Sequence, residues 1–181
     1  MQPAGPPVPS AQSSASKPKS TRQPAAGSAR PGRSAGPLVR DGKTANPVVK
    51  AAAQPFNKEI SYSDGVRLQV PHIAQQTDTG QGPGARPGDP VTVFTVRITN
   101  NSAGTLNLDR VVVNVGLDNG SLQAQPAYVN GTNDFSGSVA SHASSTTAYA
   151  FTIPTADLGA VVLTVDFDGR HAAATFTGSI R

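Results

Sequence analysis

The sequence predicts an all-β fold: an immunoglobulin-like antiparallel β-sandwich of seven to nine strands, preceded by a long disordered N-terminal tail. Three observations support this fold class. From Lys58 onward apolar and polar residues alternate with a period of two, which is typical of strands with one buried face. Short segments rich in Asn, Asp and Gly separate the alternating runs. Residues 1–57 show neither feature and are rich in Pro, Ala and Ser instead.

The first 57 residues differ from the rest of the chain in charge as well as in composition. They carry eight basic residues and one acid, a net charge of +7, whereas residues 58–181 carry seven basic and ten acidic residues, a net charge of −3. They also hold ten of the sixteen prolines and few large apolar side chains. Such a segment cannot bury enough apolar surface to offset the entropy of ordering its backbone. We therefore predict a disordered basic spacer over 1–57 and one folded domain over 58–181.

The basic residues of the tail raise the question of nucleic-acid binding. They are spread over 57 residues, and no aromatic residue that could stack on a base precedes Phe56. We therefore predict no specific nucleic-acid recognition, and we keep nonspecific contact with a polyanion as an alternative to a plain spacer. The cations that would make this contact are Lys17, Lys19, Arg22, Arg30, Arg33, Arg40, Lys43 and Lys50.

Alternation defines the predicted strands in chain order. They cover 66–70, 91–99, 111–115, 148–153, 161–167 and 171–179. The last two runs should pair across the turn Asp168-Gly169-Arg170, because Asp-Gly favours tight hairpins. Between the first two runs, Gln75–Asp89 contains no large apolar side chain and two prolines, so we predict a mobile loop there.

The chain has no Cys and no Trp, so the domain must be stable without a disulfide. A sandwich of about 124 residues is large enough for this. The large aromatic side chains in the alternating runs should fill its centre; they are Phe94, Tyr149, Phe151, Phe167 and Phe176.

Several of these runs, taken together, resemble a family of immunoglobulin-like domains of unknown function. The matching segments are Asp64-Gly65-Val66, Val93-Phe94-Thr95-Val96 with the following Asn100-Asn101-Ser102, and Tyr149-Ala150-Phe151 with Ile153-Pro154. The family occurs in lipoproteins and membrane-anchored surface proteins of actinobacteria and related Gram-positive bacteria, and it is similar to the immunoprotective extracellular antigen of mycobacteria. The resemblance covers 58–181. It implies a surface domain that a Pro-rich spacer separates from a membrane anchor.

No set of residues has the spacing of a known catalytic site. The sequence lacks a Gly-x-Ser-x-Gly elbow, and neither a Lys nor a helix signal follows the Gly80-x-Gly82-x-Gly84 run.

His171 lies close to Asp166 and Asp168, and three such ligands could bind a divalent ion. The alternation instead places the two acids on the solvent face and in the turn. We predict no enzyme activity, no metal and no cofactor. Calcium binding is left open for a group of acidic loop residues: Asp64, Asp78, Asp89, Asp109, Asp118 and Asp134.

These observations predict a noncatalytic interaction module that is extracellular or on the cell surface and contacts another protein or a cell-envelope component. Its contacts should lie in the loops at 75–89 and 117–134. The candidate partner-binding residues are Asp78, Arg86, Asp118, Asn119, Tyr128 and Asn133. The alternative is a structural virion component, either a capsid decoration or a minor head protein, whose basic tail becomes ordered on assembly. The N-terminus, which lacks the basic and apolar pattern of a secretory signal, favours this alternative.

Overall fold

A computed structural model of the chain describes Val39–Arg40, Lys43–Thr44 and residues 47–80 and 86–181. The described residues form fourteen strands and one short helix. In chain order these are β1 (Val39–Arg40), β2 (Lys43–Thr44), β3 (Gln54–Pro55), β4 (Ile60–Ser61), β5 (Val66–Thr77), β6 (Pro90–Asn100), β7 (Leu106–Asn107), β8 (Val112–Leu117), β9 (Leu122–Gln123), β10 (Gln125–Ala127), β11 (Ser138–Val139), β12 (Ala143–Thr152), a 3₁₀ helix (Thr155–Gly159), β13 (Val161–Asp166) and β14 (Ala174–Gly178). Seven strands are longer than two residues. The predicted β-sandwich is confirmed.

The strands form two five-stranded sheets and two short pairs. The first sheet has the order β10-β12-β6-β5-β4 and is antiparallel throughout. The second has the order β3-β14-β13-β8-β9 and is antiparallel except for β3, which runs parallel to β14. The pairs are β1 with β2 and β7 with β11. In the part of the chain that the structure describes, no helix is long and apolar enough to span a membrane.

The core lies between the two sheets and is built from the predicted alternating runs. Phe94 of the first sheet and Phe176 of the second are both fully buried, and Phe56 stacks on both, with ring centroids 5.9 and 6.3 Å apart. Phe151 and Phe167 are also buried, as predicted. Tyr149 packs at the margin of this core rather than in its centre, and its hydroxyl accepts a hydrogen bond from the backbone N–H of Phe135 (3.0 Å).

The predicted start of the domain at Lys58 is corrected by these contacts. Val48 and Val49 donate backbone hydrogen bonds to the carbonyl of Arg170, and β3 pairs with β14. The error has a physical reason. Residues 1–57 are polar and Pro-rich on average, but they include a few apolar side chains, such as Phe56, that pack against the sandwich. Of residues 1–46 of the predicted tail, the structure describes β1 and β2, and the others lie outside the described residues.

Two further predictions are corrected where loops meet strands. The predicted mobile loop begins at Gln75, but β5 continues through Thr77, which pairs with Pro90 at the start of β6. Residues 81–85 of this loop lie outside the described residues. The predicted tight turn at Asp168-Gly169-Arg170 is part of a longer loop, because pairing of β13 with β14 stops at Val165 opposite Ala174.

Candidate functional site

The loops of the sandwich lie at its two ends. At one end, which we call the histidine end, are the turns at 62–65, 100–105 and 140–142 and the loop at 167–173. At the other, the loop end, are residues 78–80 and 86–89, the turn at 118–121 and the connection at 153–160. The buried histidine and the most exposed candidate side chains lie in different parts of the sandwich.

A buried histidine joins two loops at the histidine end. His171 is 3% exposed, its Nδ1 is 2.7 Å from Oδ2 of Asp168, and its Nε2 is 2.8 Å from Oδ2 of Asp64. The loop turns the ring inward because Oδ1 of Asp168 accepts the backbone N–H groups of Arg170 and His171, at 2.8 and 2.9 Å. Asp166 accepts the N–H of Gly169 in the same loop (3.0 Å). We call Asp64, Asp168 and His171 the histidine cluster.

Two aromatic rings enclose this cluster. The ring centroid of Tyr62 lies 4.8 Å from that of His171 in an edge-on contact, and the ring of Phe167 lies 4.7 Å away. The hydroxyl of Tyr62 donates to the carbonyl of Ala172 (2.6 Å). The contacts around His171 therefore combine apolar packing with hydrogen bonds to two carboxylates.

Burial and charge act in opposite directions on the pKa of His171. Burial alone would lower it, but the hydrogen bonds and negative charges of Asp168 and Asp64 outweigh burial and raise the pKa above its usual range. The pKa of Asp168 is lowered, because its bonds to His171 and to two backbone N–H groups outweigh the effect of its own burial. Burial and the nearby carboxylates of Asp168, Asp166 and Asp64 raise the pKa of Tyr62.

The geometry of the cluster limits its chemistry. Each ring nitrogen of His171 already contacts a carboxylate, so neither can take a proton from a nucleophile or bind a metal while these contacts persist. Within the described residues, no group of three His, Cys, Asp or Glu side chains could hold a metal ion. The sequence suggested that His171 meets Asp166 or Asp168. The structure confirms the contact with Asp168 and adds Asp64, which lies 107 residues away in the chain and carried no local signal.

Four of the five exposed candidate residues lie on one side edge of the sandwich. There the chain leaves the second sheet and joins the first: the N–H of Ala124 bonds to the carbonyl of Val115 in β8, and Gln125 pairs with Thr152 in β12. We call residues 118–133 the crossover edge. It exposes 77% of Tyr128 and 59% of Leu122.

Four of the six predicted partner-binding residues lie on the crossover edge. Asp118 and Asn119 form its first turn with positive φ angles of 47° and 55°, and Ser121 donates to Oδ2 of Asp118 (3.0 Å). Tyr128 follows β10 directly. Asn133 is exposed and lies beside β12, since its N–H donates to the carbonyl of Ala148 (3.2 Å).

The other two predicted residues lie at the base of the β5–β6 loop. Asp78 is 4% exposed, and its two carboxylate oxygens accept the N–H groups of Gly80 and Arg86, both at 2.7 Å. These bonds lower the pKa of Asp78. The prediction of a partner contact at Asp78 is therefore corrected, because its carboxylate faces the loop backbone and closes the loop. Arg86 is exposed, so its side chain is accessible.

The acidic residues considered for calcium do not form one group. Asp78, Asp89 and Asp118 lie at the loop end, whereas Asp64 and Asp109 lie at the histidine end. Asp109 accepts the N–H of Gly137 (2.6 Å). Among the described residues, the carboxylates of Asp64, Asp78, Asp109 and Asp118 each accept a hydrogen bond within a different loop or turn.

Comparison with known proteins extends only to the fold. No protein-family model matches the chain, and no curated protein matches it. Among solved structures, the yjhA protein from Bacillus subtilis is similar with a TM-score of 0.50 and 11% identity, over 61% of this chain and 80% of that one. An uncharacterized β-sandwich protein from Clostridium difficile 630 is similar with a TM-score of 0.42 and 15% identity, over 72% of this chain and 95% of that one. At these identities the similarity concerns the architecture alone.

Proposed function

We propose that the domain is a noncatalytic binding module that contacts another protein or a cell-envelope component through the crossover edge. The observation that carries the proposal is the exposure of Tyr128 on that edge. Tyrosine combines a large apolar surface with a hydroxyl and loses little conformational entropy on binding, so it is enriched among the residues that dominate interface energies. Leu122 adds a second exposed apolar side chain to the same edge.

The edge strands favour recognition by side chains over addition of a partner strand. β9 has two residues and β10 has three, and Pro126 in β10 has no backbone N–H to donate. Short edges and proline are features that limit pairing with a foreign strand.

The charge of this region favours a neutral or basic partner surface. No Lys or Arg occurs between 111 and 169, and the crossover edge carries Asp118, with Asp134 immediately after it. Carboxylates at the rim of a contact surface steer oppositely charged partners and repel acidic ones.

The resemblance of 58–181 to immunoglobulin-like domains of actinobacterial surface proteins supports an extracellular or cell-surface location, with the N-terminal tail as spacer. The absence of a free ring nitrogen in the histidine cluster supports a noncatalytic role. The virion alternative depends on the tail, most of which lies outside the described residues. Cosedimentation of the full chain with purified particles would support that alternative instead.

Binding of the full chain to cell-envelope fractions of its source organism tests the proposal. The Tyr128→Ala variant should bind at least about tenfold more weakly, because loss of a central aromatic contact typically costs more than about 1.4 kcal/mol. Val48→Ala is the matched control, since Val48 is equally exposed but lies away from this edge. Thermal unfolding should be the same for both variants. Equal binding by wild type and Tyr128→Ala would contradict a role for the crossover edge.

A further inference from the structure

We propose that the histidine cluster controls, through the protonation of His171, whether residues 47–50 stay bound to the domain. We call residues 47–50 the attachment segment, because there the N-terminal part of the chain joins the sandwich. Protonated His171 fixes the loop at 168–172 in the shape that binds this segment, and loss of the proton loosens both. This inference does not depend on the proposed binding function.

The loop binds the attachment segment through backbone hydrogen bonds, and the side chain of Val49 is also buried in the core. The N–H groups of Val48 and Val49 donate to the carbonyl of Arg170, at 2.9 and 3.2 Å, and the N–H of Ala172 donates to the carbonyl of Val49 (2.7 Å). Val49 pairs with His171 itself as an isolated parallel bridge. These bonds require that residues 170–172 keep their present backbone conformation, so the attachment depends on what fixes this loop.

The side chain of His171 fixes the loop to the opposite turn. Its ring bonds to Asp168 within the loop and to Asp64 in the turn between β4 and β5. Only the protonated ring carries an N–H on both nitrogens, whereas the neutral ring would direct a lone pair at one of the two carboxylates. Deprotonation must therefore break one contact. Losing the contact with Asp64 leaves the loop joined to this turn through the hydrogen bond from the Tyr62 hydroxyl to the carbonyl of Ala172, and losing the contact with Asp168 frees the ring from its own loop.

The direction of the pH dependence follows from the groups around the ring. The titratable and charged groups on the elements around the ring are Asp64, Asp166, Asp168, Tyr62, Arg170 and Lys50. The two contacting carboxylates, Asp168 and Asp64, raise the pKa of His171 despite burial. A raised histidine pKa gives a contribution that is complete below the ordinary value of 6.5 and is lost as the pH rises through the folded value. The attachment should thus be tightest in mild acid and loosen in base.

Nuclear magnetic resonance of the full chain tests this directly. The ring signals of His171 should titrate above pH 6.5, and hydrogen exchange should report the attachment through the amide of Ala172. The amide of Ile180, which bonds to Leu158 at the loop end (2.9 Å), is the internal control. Between about pH 5 and about pH 9, protection of Ala172 relative to Ile180 should fall about tenfold for each unit by which the pKa of His171 exceeds 6.5. Protection that stays parallel at both amides while His171 titrates would overturn the proposal.

A conservative variant separates the cluster from general effects of pH. Asp64→Asn keeps the size of the side chain and removes one negative charge beside the ring. Both the titration of His171 and the fall in Ala172 protection should then move to lower pH by the same amount. His72→Gln, at an exposed histidine on β5, should move neither. If Asp64→Asn shifts the titration of His171 and leaves the protection profile of Ala172 in place, the cluster does not control the attachment segment.

Discussion

The histidine end and the crossover edge contain the same types of polar residue, but the first buries their side chains and the second exposes them. At the histidine end, Asn100 is fully buried: its amide nitrogen donates to the carbonyls of Gly104 and Val139, at 2.7 and 2.9 Å, and its amide oxygen accepts the N–H and hydroxyl of Ser102. On the crossover edge, Asn133 is exposed and bonds through its backbone. The side chain of an Asn in this fold can therefore be a buried group that holds a turn together or an exposed group at the surface. Its position in the fold decides which.

The same contrast applies to charge and aromatic surface. The histidine cluster encloses its charges between two loops, so they stabilise the fold and leave little for a partner. The crossover edge carries Asp118 and Tyr128 where solvent reaches them. We therefore expect substitutions at the histidine end to change stability and those on the edge to change binding.

The largest expected effect is that of Asn100→Ala. Removing this side chain leaves the buried carbonyl of Val139 without this donor and breaks the bonds to Gly104 and Ser102, so the free energy of unfolding should fall by about 3 kcal/mol. Urea denaturation measures this. Asn133→Ala is the matched control and should change stability by less than about 0.5 kcal/mol. Similar losses in the two variants would show that burial does not distinguish the two regions.

The next effect should come from the turn that begins the crossover edge. A methyl group at Gly116 would lie 2.7 Å from Cα of Gly120, and backbone atoms cannot easily move away. Gly116→Ala should therefore cost about 1–3 kcal/mol of unfolding free energy. Gly104→Ala, where no atom lies within 4 Å of the added methyl, is the control. An unchanged free energy of unfolding in Gly116→Ala would mean that the turn at 118–121 can move away from β8 without a cost in stability.

A smaller effect is expected from pH acting on the histidine end. The free energy of unfolding of the wild type should decrease from about pH 6 to about pH 9 by about 1.4 kcal/mol for each unit by which the pKa of His171 exceeds 6.5. His171→Gln should be less stable at the lower pH and lose this slope. An unchanged slope in the variant would assign the pH dependence to another group.

The smallest effect on stability should be that of Tyr128→Ala. Its side chain is mostly exposed, so the unfolding free energy should change by less than about 0.5 kcal/mol. Calorimetry provides the measurement. A loss of more than about 1 kcal/mol would show that Tyr128 packs on the sandwich, and the edge would then resemble the histidine end.

The local sequence determined which residues form the long strands and which of their faces are buried. In Val91–Thr99 and Val161–Phe167 the alternation identifies the side chains that face the core, because a strand places successive side chains on opposite faces. It does not identify every buried residue: Asp166, predicted on the solvent face, is 3% exposed, and Val91 and Thr164 are buried as well. The Asn100-Asn101-Ser102 segment was recognisable as a turn by its residue types. The sequence also placed Asp118, Asn119, Tyr128 and Asn133 in the loop at 117–134, and all four are exposed.

Only the tertiary structure decided the contacts between distant segments. Asp64 and His171 meet because two loops from different sheets end at the same place, and no local pattern records that coincidence. The attachment of Val49 depends likewise on His171, and the stacking of Phe56 depends on Phe94 of β6 and Phe176 of β14, all of which lie far along the chain. Periodicity reports how a side chain faces its own strand, whereas these contacts depend on the packing of complete sheets against each other, which a single segment does not encode.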